Sequence, residues 1–97
     1  MVSWSEKEIT ATLFRKLFII GKIGHSHTSF ENLPKSFPPE TREQVKKTAK
    51  KLINKGLLLS GKHNYGLGVS LNNKRLLEIE KIIVEVFPEL KERIEQR

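Results

Sequence analysis

Residues 43–58 read EQVKKTAKKLINKGLL. Val45, Ala49, Leu52 and Ile53 recur at helical spacing, so the stretch is a helix with one apolar stripe. Five of its sixteen residues are lysines, and they fall on the other faces. The helical pattern stops at Gly56, a natural C-terminal stop, and Leu57-Leu58-Leu59 follows with the character of a strand. A helix crowded with one sign of charge passes through a single glycine into an apolar strand. That sequence of events decides the fold.

The charge is concentrated there. The chain of 97 residues carries a net +7, and residues 42–55 alone hold six cations and one acid, a net +5. A focused basic patch is the expected footprint of a polyanion site. The remaining composition excludes much. There is no cysteine and no aspartate, so disulfides, zinc fingers, thiol catalysis and Asp-based metal or triad chemistry are all disfavoured. His25 and His27 flank Ser26 in a loop. As a metal pair they lack a third ligand nearby, and the alternative is a solvated or capping role. No apolar run is long enough to span a membrane and no signal-peptide pattern is present, which implies a cytoplasmic protein. The length suits one domain, residues 1–97, with a thin core that buries roughly 60–65% of the unfolded surface.

Outward from the opening stretch, punctuation divides the chain. Ser5-Glu6-Lys7-Glu8 is a capping box that opens a first helix over about 6–20, with Ile9, Leu13, Leu17 and Ile20 on its inner face and Gly21 as its stop. Trp4 is placed to staple against Ile9 or its neighbours. Ile23-Gly24-His25 reads as a strand stub. Thr28-Ser29-Phe30-Glu31 reads as a second capping box before a short helix with Phe30 and Leu33. Pro38-Pro39 precedes the third helix, over about 39–55. After it, residues 57–59 and 67–71 predict a β-hairpin with a loop of five to seven residues. Asn72-Asn73 caps a last helix, which Pro88 interrupts and which restarts up to Ile94.

The order helix, short helix, helix, hairpin, helix resembles the winged helix-turn-helix family. Its carriers are Val45, Ala49, Leu52 and Ile53, then Lys55-Gly56-Leu57-Leu58 entering the hairpin, then Gly66-Leu67-Gly68-Val69-Ser70-Leu71 leaving it. The match covers about residues 5–72, and residues 73–97 form the appended C-terminal helix. The resemblance implies an α+β, mainly α fold. It also implies that the third helix enters a DNA major groove while the hairpin, the wing, touches the backbone or minor groove.

On a helical wheel, Glu40, Glu43, Lys47, Lys50, Lys51 and Asn54 lie opposite the apolar stripe, with Gln44 and Lys46 on the flanks. Lys46–Lys50, Lys47–Lys51 and Lys51–Lys55 are like-charged i,i+4 pairs that cost a few tenths of a kcal/mol each. Lysines near a helix end suit the macrodipole and charge runs are often solvated faces, but three repulsive pairs on one face point to an external anion. Lys46, Lys47, Lys50, Lys51 and Lys62 are the expected phosphate contacts. Arg42 and Gln44 are the candidate base contacts, and His63 and Tyr65 at the wing tip complete the set.

In the last helix, Leu76, Ile79, Ile83, Val86 and Leu90 are spaced as a heptad seam, which predicts a homodimer contact; the alternative is that a thin core absorbs the helix. The expectation is a homodimeric binder of double-stranded DNA, a transcriptional regulator without cofactor or enzymatic activity. Its competitors are an RNA or ribonucleoprotein module and a protein-interaction adaptor.

Overall fold

The computed structural model describes residues 4–96. Helix α1, Glu6–Ile19, starts at the predicted capping box. Ser5 Oγ accepts from the Glu8 N–H at 3.1 Å, and the Ser5 N–H donates to Glu8 Oε1 at 3.0 Å. The helix ends with Gly21 in the left-handed region, φ +74°. The Gly21 N–H then donates to the Phe18 carbonyl and the Lys22 N–H to the Leu17 carbonyl. This pair of bonds satisfies carbonyls that a helix end otherwise leaves open.

Helix α2, Arg42–Asn54, carries the opening stretch and ends the same way at Gly56, φ +79°. The Gly56 N–H reaches the Ile53 carbonyl and the Leu57 N–H the Leu52 carbonyl. The helix predicted from residue 39 is α-helical only from Arg42, because Pro39–Thr41 forms a 3-10 turn first. As predicted, Val45, Ala49 and Leu52 face the core; Thr41 and Thr48 join them and Ile53 is partly buried.

Between the two helices the local reading needs correction. The strand lies at Thr28–Ser29 (β1), not at residues 23–25, where only Ile23 makes a single bridge to Leu71. The capping box expected at Thr28–Glu31 does not form. Thr28, β-branched and suited to a strand, pairs with Val69 instead, and the cap moves one residue on. Ser29 Oγ accepts from the Glu31 N–H at 3.3 Å. The segment it opens, Phe30–Ser36, is a 3-10 helix containing Pro34, which cannot donate to an α-helical ladder.

The hairpin consists of β2, Leu58–His63, and β3, Gly66–Leu71. Its loop is two residues, Asn64-Tyr65, shorter than expected. Gly61, read as a turn residue, sits opposite Gly68 within the ladder. β1 joins the free edge of β3, giving a three-stranded antiparallel sheet of order β1-β3-β2. Leu58, Val69 and Leu71 turn to the core. The pleat therefore turns Gly61, His63, Gly66 and Gly68 to the other face.

A 3-10 turn, Asn73–Arg75, capped by Asn72, leads into helix α3, Leu76–Val86. After Pro88 a further 3-10 turn, Pro88–Leu90, leads into the short helix α4, Lys91–Glu95. α1 packs against both α3 and α2, and α2 packs against β2. Trp4 packs against the core and sets its ring edge-on to Phe37, centroids 5.3 Å apart.

The seam assigned to a second copy is used largely inside the chain. Ile79 and Ile83 have no exposed surface, and Leu76 and Leu90 pack partly buried against the same core. Val86 lines a concavity of about 540 Å³ beside Arg15, Ile19 and Phe87. A core this thin needs the helix for itself. The strongly exposed apolar residue of α3 is Leu77, off the seam, at 82%. Among the described residues, no helix is long and apolar enough to cross a membrane.

Candidate nucleic-acid interface

Packing α2 against α1 on one side and the Phe30–Ser36 segment on the other fixes which of its side chains stay open. Glu43, Lys47, Lys50 and Asn54 form one exposed stripe down the outward face. Lys47 and Lys50 have no ionic partner among the described residues, and neither does Arg42.

The flanks of the helix are engaged. Lys51 Nζ lies 3.0 Å from Glu6 Oε2 at the start of α1. Lys46 Nζ lies 3.7 Å from Glu31 Oε2 on the opposite side. Gln44, a predicted base contact, donates from Nε2 to the Trp4 carbonyl at 3.0 Å, so its amide donor serves the fold. Both carboxylates are more than 40 positions or a full element away in sequence from α2's own pattern, and periodicity within the helix carries no sign of them.

The hairpin is fastened to the C-terminal end of α2 at its base. Asn72 Nδ2 donates to the Gly56 carbonyl at 2.7 Å, and the Asn72 N–H donates to the Leu57 carbonyl at 3.0 Å. Arg75 Nη1 donates to the Lys55 carbonyl at 3.0 Å while its Nε and Nη2 hold Glu78 Oε1 at 3.1 and 2.8 Å. One open carbonyl of the helix end thus meets a cation, as its dipole favours.

At the far end, Lys62, His63, Asn64 and Tyr65 are all exposed. The surprise is His27. Its ring stacks on His63 with centroids 3.8 Å apart and planes 13° from parallel. Tyr65 lies 5.4 Å from His63 at 10°. His27 Nδ1 is 3.1 Å from the His25 carbonyl, which can only accept, so Nδ1 carries the proton. His27, treated as a loop residue, is therefore a partly exposed layer of a ring stack, while His25 is exposed as the solvated reading has it. Among the described residues, no group of three or more His or Glu side chains is arranged to hold a metal.

The electrostatics run one way. No acid occurs between Glu43 and Glu78, a span that covers the rest of α2 and the whole hairpin and contains seven lysines and one arginine. A surface built from this span stays net positive, since only Lys46, Lys51 and Arg75 of its cations face carboxylates among the described residues, and such a surface favours polyanions. No known family model, curated protein or solved structure matches the chain.

Proposed function

We propose that this chain is a winged helix-turn-helix module that binds duplex DNA, with the open stripe of α2 on the phosphates and the hairpin as the wing, in the service of transcriptional regulation. The observation that carries the reading is the exposed, unpaired pair Lys47 and Lys50 on the outward face of α2. Supporting it are the order of elements and the strand order β1-β3-β2, which fit a helix presented beside a hairpin. The acid-free span from α2 to the end of the hairpin adds to it.

Of the expected contacts, Arg42, Lys47, Lys50 and Lys62 have no ionic partner among the described residues, whereas Lys46 and Lys51 already face carboxylates. With Lys47, Lys50 and Lys62 on phosphates, about three contacts give a log–log salt slope of roughly −3. Arg42, at the first turn of α2, is the remaining candidate for a base contact, by paired hydrogen bonds to guanine. A second copy, if it binds, has Leu77 rather than the buried seam to meet.

The test is fluorescence anisotropy with a random duplex of about 20 base pairs across a salt series. The intact chain is compared with Lys47→Glu/Lys50→Glu, and an RNA duplex serves as competitor. Steep salt dependence lost in the double variant supports the reading. A near-flat slope overturns it, and preferential displacement by RNA transfers it to an A-form ligand.

A further inference from the structure

The outer face of the sheet is unusual in what covers it. Gly68, in the middle strand, is buried beneath two imidazoles. A Cβ there would meet His63 Cδ2 at 2.5 Å and His27 Cδ2 at 2.9 Å. Only a glycine lets both rings stand on the backbone of β3, edge down and face to face. The rings come from the two sides of the sheet. His27 precedes β1 and His63 ends β2, so the stack bridges both neighbours of β3.

Tyr65 extends this arrangement with a third, offset ring. Its centroid is 5.4 Å from His63 and 6.1 Å from His27, while those two are 3.8 Å apart. These distances make close to a right angle at His63. Tyr65 lies near-parallel to both imidazoles, at 10° to His63 and 22° to His27, and is offset from them, so its ring reaches past the edge of the pair. Tyr65 is 55% exposed. Covering Gly68 requires only the two imidazoles. A third ring, near-parallel to both and half open to solvent, widens the stack into a larger π-surface.

We propose that the His27–His63–Tyr65 shelf seats one unpaired nucleobase, so that the chain prefers DNA carrying a single-stranded end to a plain blunt duplex. The inference rests on nucleic acid being the ligand. The chemistry fits: base–aromatic stacking tolerates any base because each has a π-face, and it needs cations to hold the adjoining phosphates. The depression beside the shelf, lined in part by Gly24, His25, Ser60 and Ser70, contains no carboxylate. Lys62 adjoins His63 on β2, and the whole hairpin is free of acids.

The experiment compares three labelled DNAs at one salt concentration: a blunt duplex, the same duplex with a short single-stranded overhang, and the same overhang made of abasic residues. Abasic residues keep the phosphates and remove the bases. The expected result is roughly tenfold tighter binding to the base-bearing overhang. That preference should vanish with the abasic overhang and in His63→Ala/Tyr65→Ala, and persist in Tyr65→Phe. Tyr65→Ala alone, at an exposed loop position, guards against a folding defect, with circular dichroism as the control.

Equal binding to blunt and overhanging duplexes overturns the proposal while leaving duplex binding intact. So does an abasic overhang that binds as well as the base-bearing one, which would assign the gain to phosphate charge. Absence of salt-dependent binding to all three DNAs overturns the nucleic-acid reading itself, and the shelf proposal with it.

Discussion

Lys51 Nζ and Glu6 Oε2 meet at 3.0 Å across 45 positions of sequence, tying the basic face of α2 to the first turn of α1. Both side chains are half exposed, so the pair contributes only about 0–1 kcal/mol to stability. Its larger effect is on the charge that α2 offers outward. Glu6→Gln should leave the melting temperature nearly unchanged and steepen the salt slope of DNA binding by about one unit, because Lys51 becomes free to meet a phosphate. An unchanged slope would show that Lys51 does not reach the DNA.

Gln44 should behave as a structural residue. Gln44→Ala removes the donor to the Trp4 carbonyl and is expected to cost about 0.5–1.5 kcal/mol in chemical denaturation. Selection from a random duplex library should return the same sequences for this variant as for the intact chain. Arg42→Ala, in contrast, should relax whatever preference the selection reveals.

Ile83 distinguishes a core helix from a dimer seam. Ile83→Ala is expected to destabilise the chain by about 2–5 kcal/mol, since a fully buried side chain is lost. The loss should not depend on protein concentration. A melting temperature that rises with concentration in the intact chain but not in the variant would place Ile83 between two copies instead.

Gly56 holds the turn between α2 and the hairpin. Its φ of +79° disfavours any side chain, and a Cβ would lie 3.3 Å from Arg75 Nη1. Gly56→Ala should cost about 1–2 kcal/mol by denaturation. It should also weaken DNA binding, because Arg75 and Asn72 both bond to carbonyls at this junction.

Two exposed carboxyls give the fold an acid-sensitive edge. The Ser5 backbone N–H, and then its hydroxyl, hold Glu8 below the ordinary carboxylate value. The Lys7 ammonium does the same for Glu85. A depressed folded value means that the unfolded chain binds protons first, so the stabilisation is present above the ordinary carboxylate range and is lost as pH falls through the lower, folded value. Thermal melts from neutral pH down to about pH 3 should fall less steeply for Glu8→Gln than for the intact chain.

The helices were legible because their ends are written in local chemistry. Ser5 with Glu8, Gly21, Gly56 and Asn72 act within a few residues of themselves, and each marks a boundary where a single side chain or a left-handed φ is required. β1 was not legible. Two residues carry no period, and Thr28 is a strand residue only because Val69 lies opposite it. The inward stripe of α2 followed from its spacing, whereas the fate of its outer charges depended on Glu6, Glu31 and Trp4 in other elements. The seam of α3 had the right spacing for either a partner or a core, and periodicity does not distinguish them. The ring stack required three aromatic residues from two loops and a strand end to converge over Gly68, which no pattern in one dimension announces.

The fastening of Asn72 and Arg75 to the carbonyls at the end of α2 makes the hairpin a cantilever. Its root is clamped to the helix, while Asn64 and Tyr65 stand at the free end of two six-residue strands. β1 supports β3 at Gly68 and Val69, so about 10 Å of hairpin extends beyond that support, and a bend of a few degrees there carries the tip through about 0.5–1 Å. The helix would then set the register on a duplex, and the tip would accommodate differences in groove width or in the splay of an opened end.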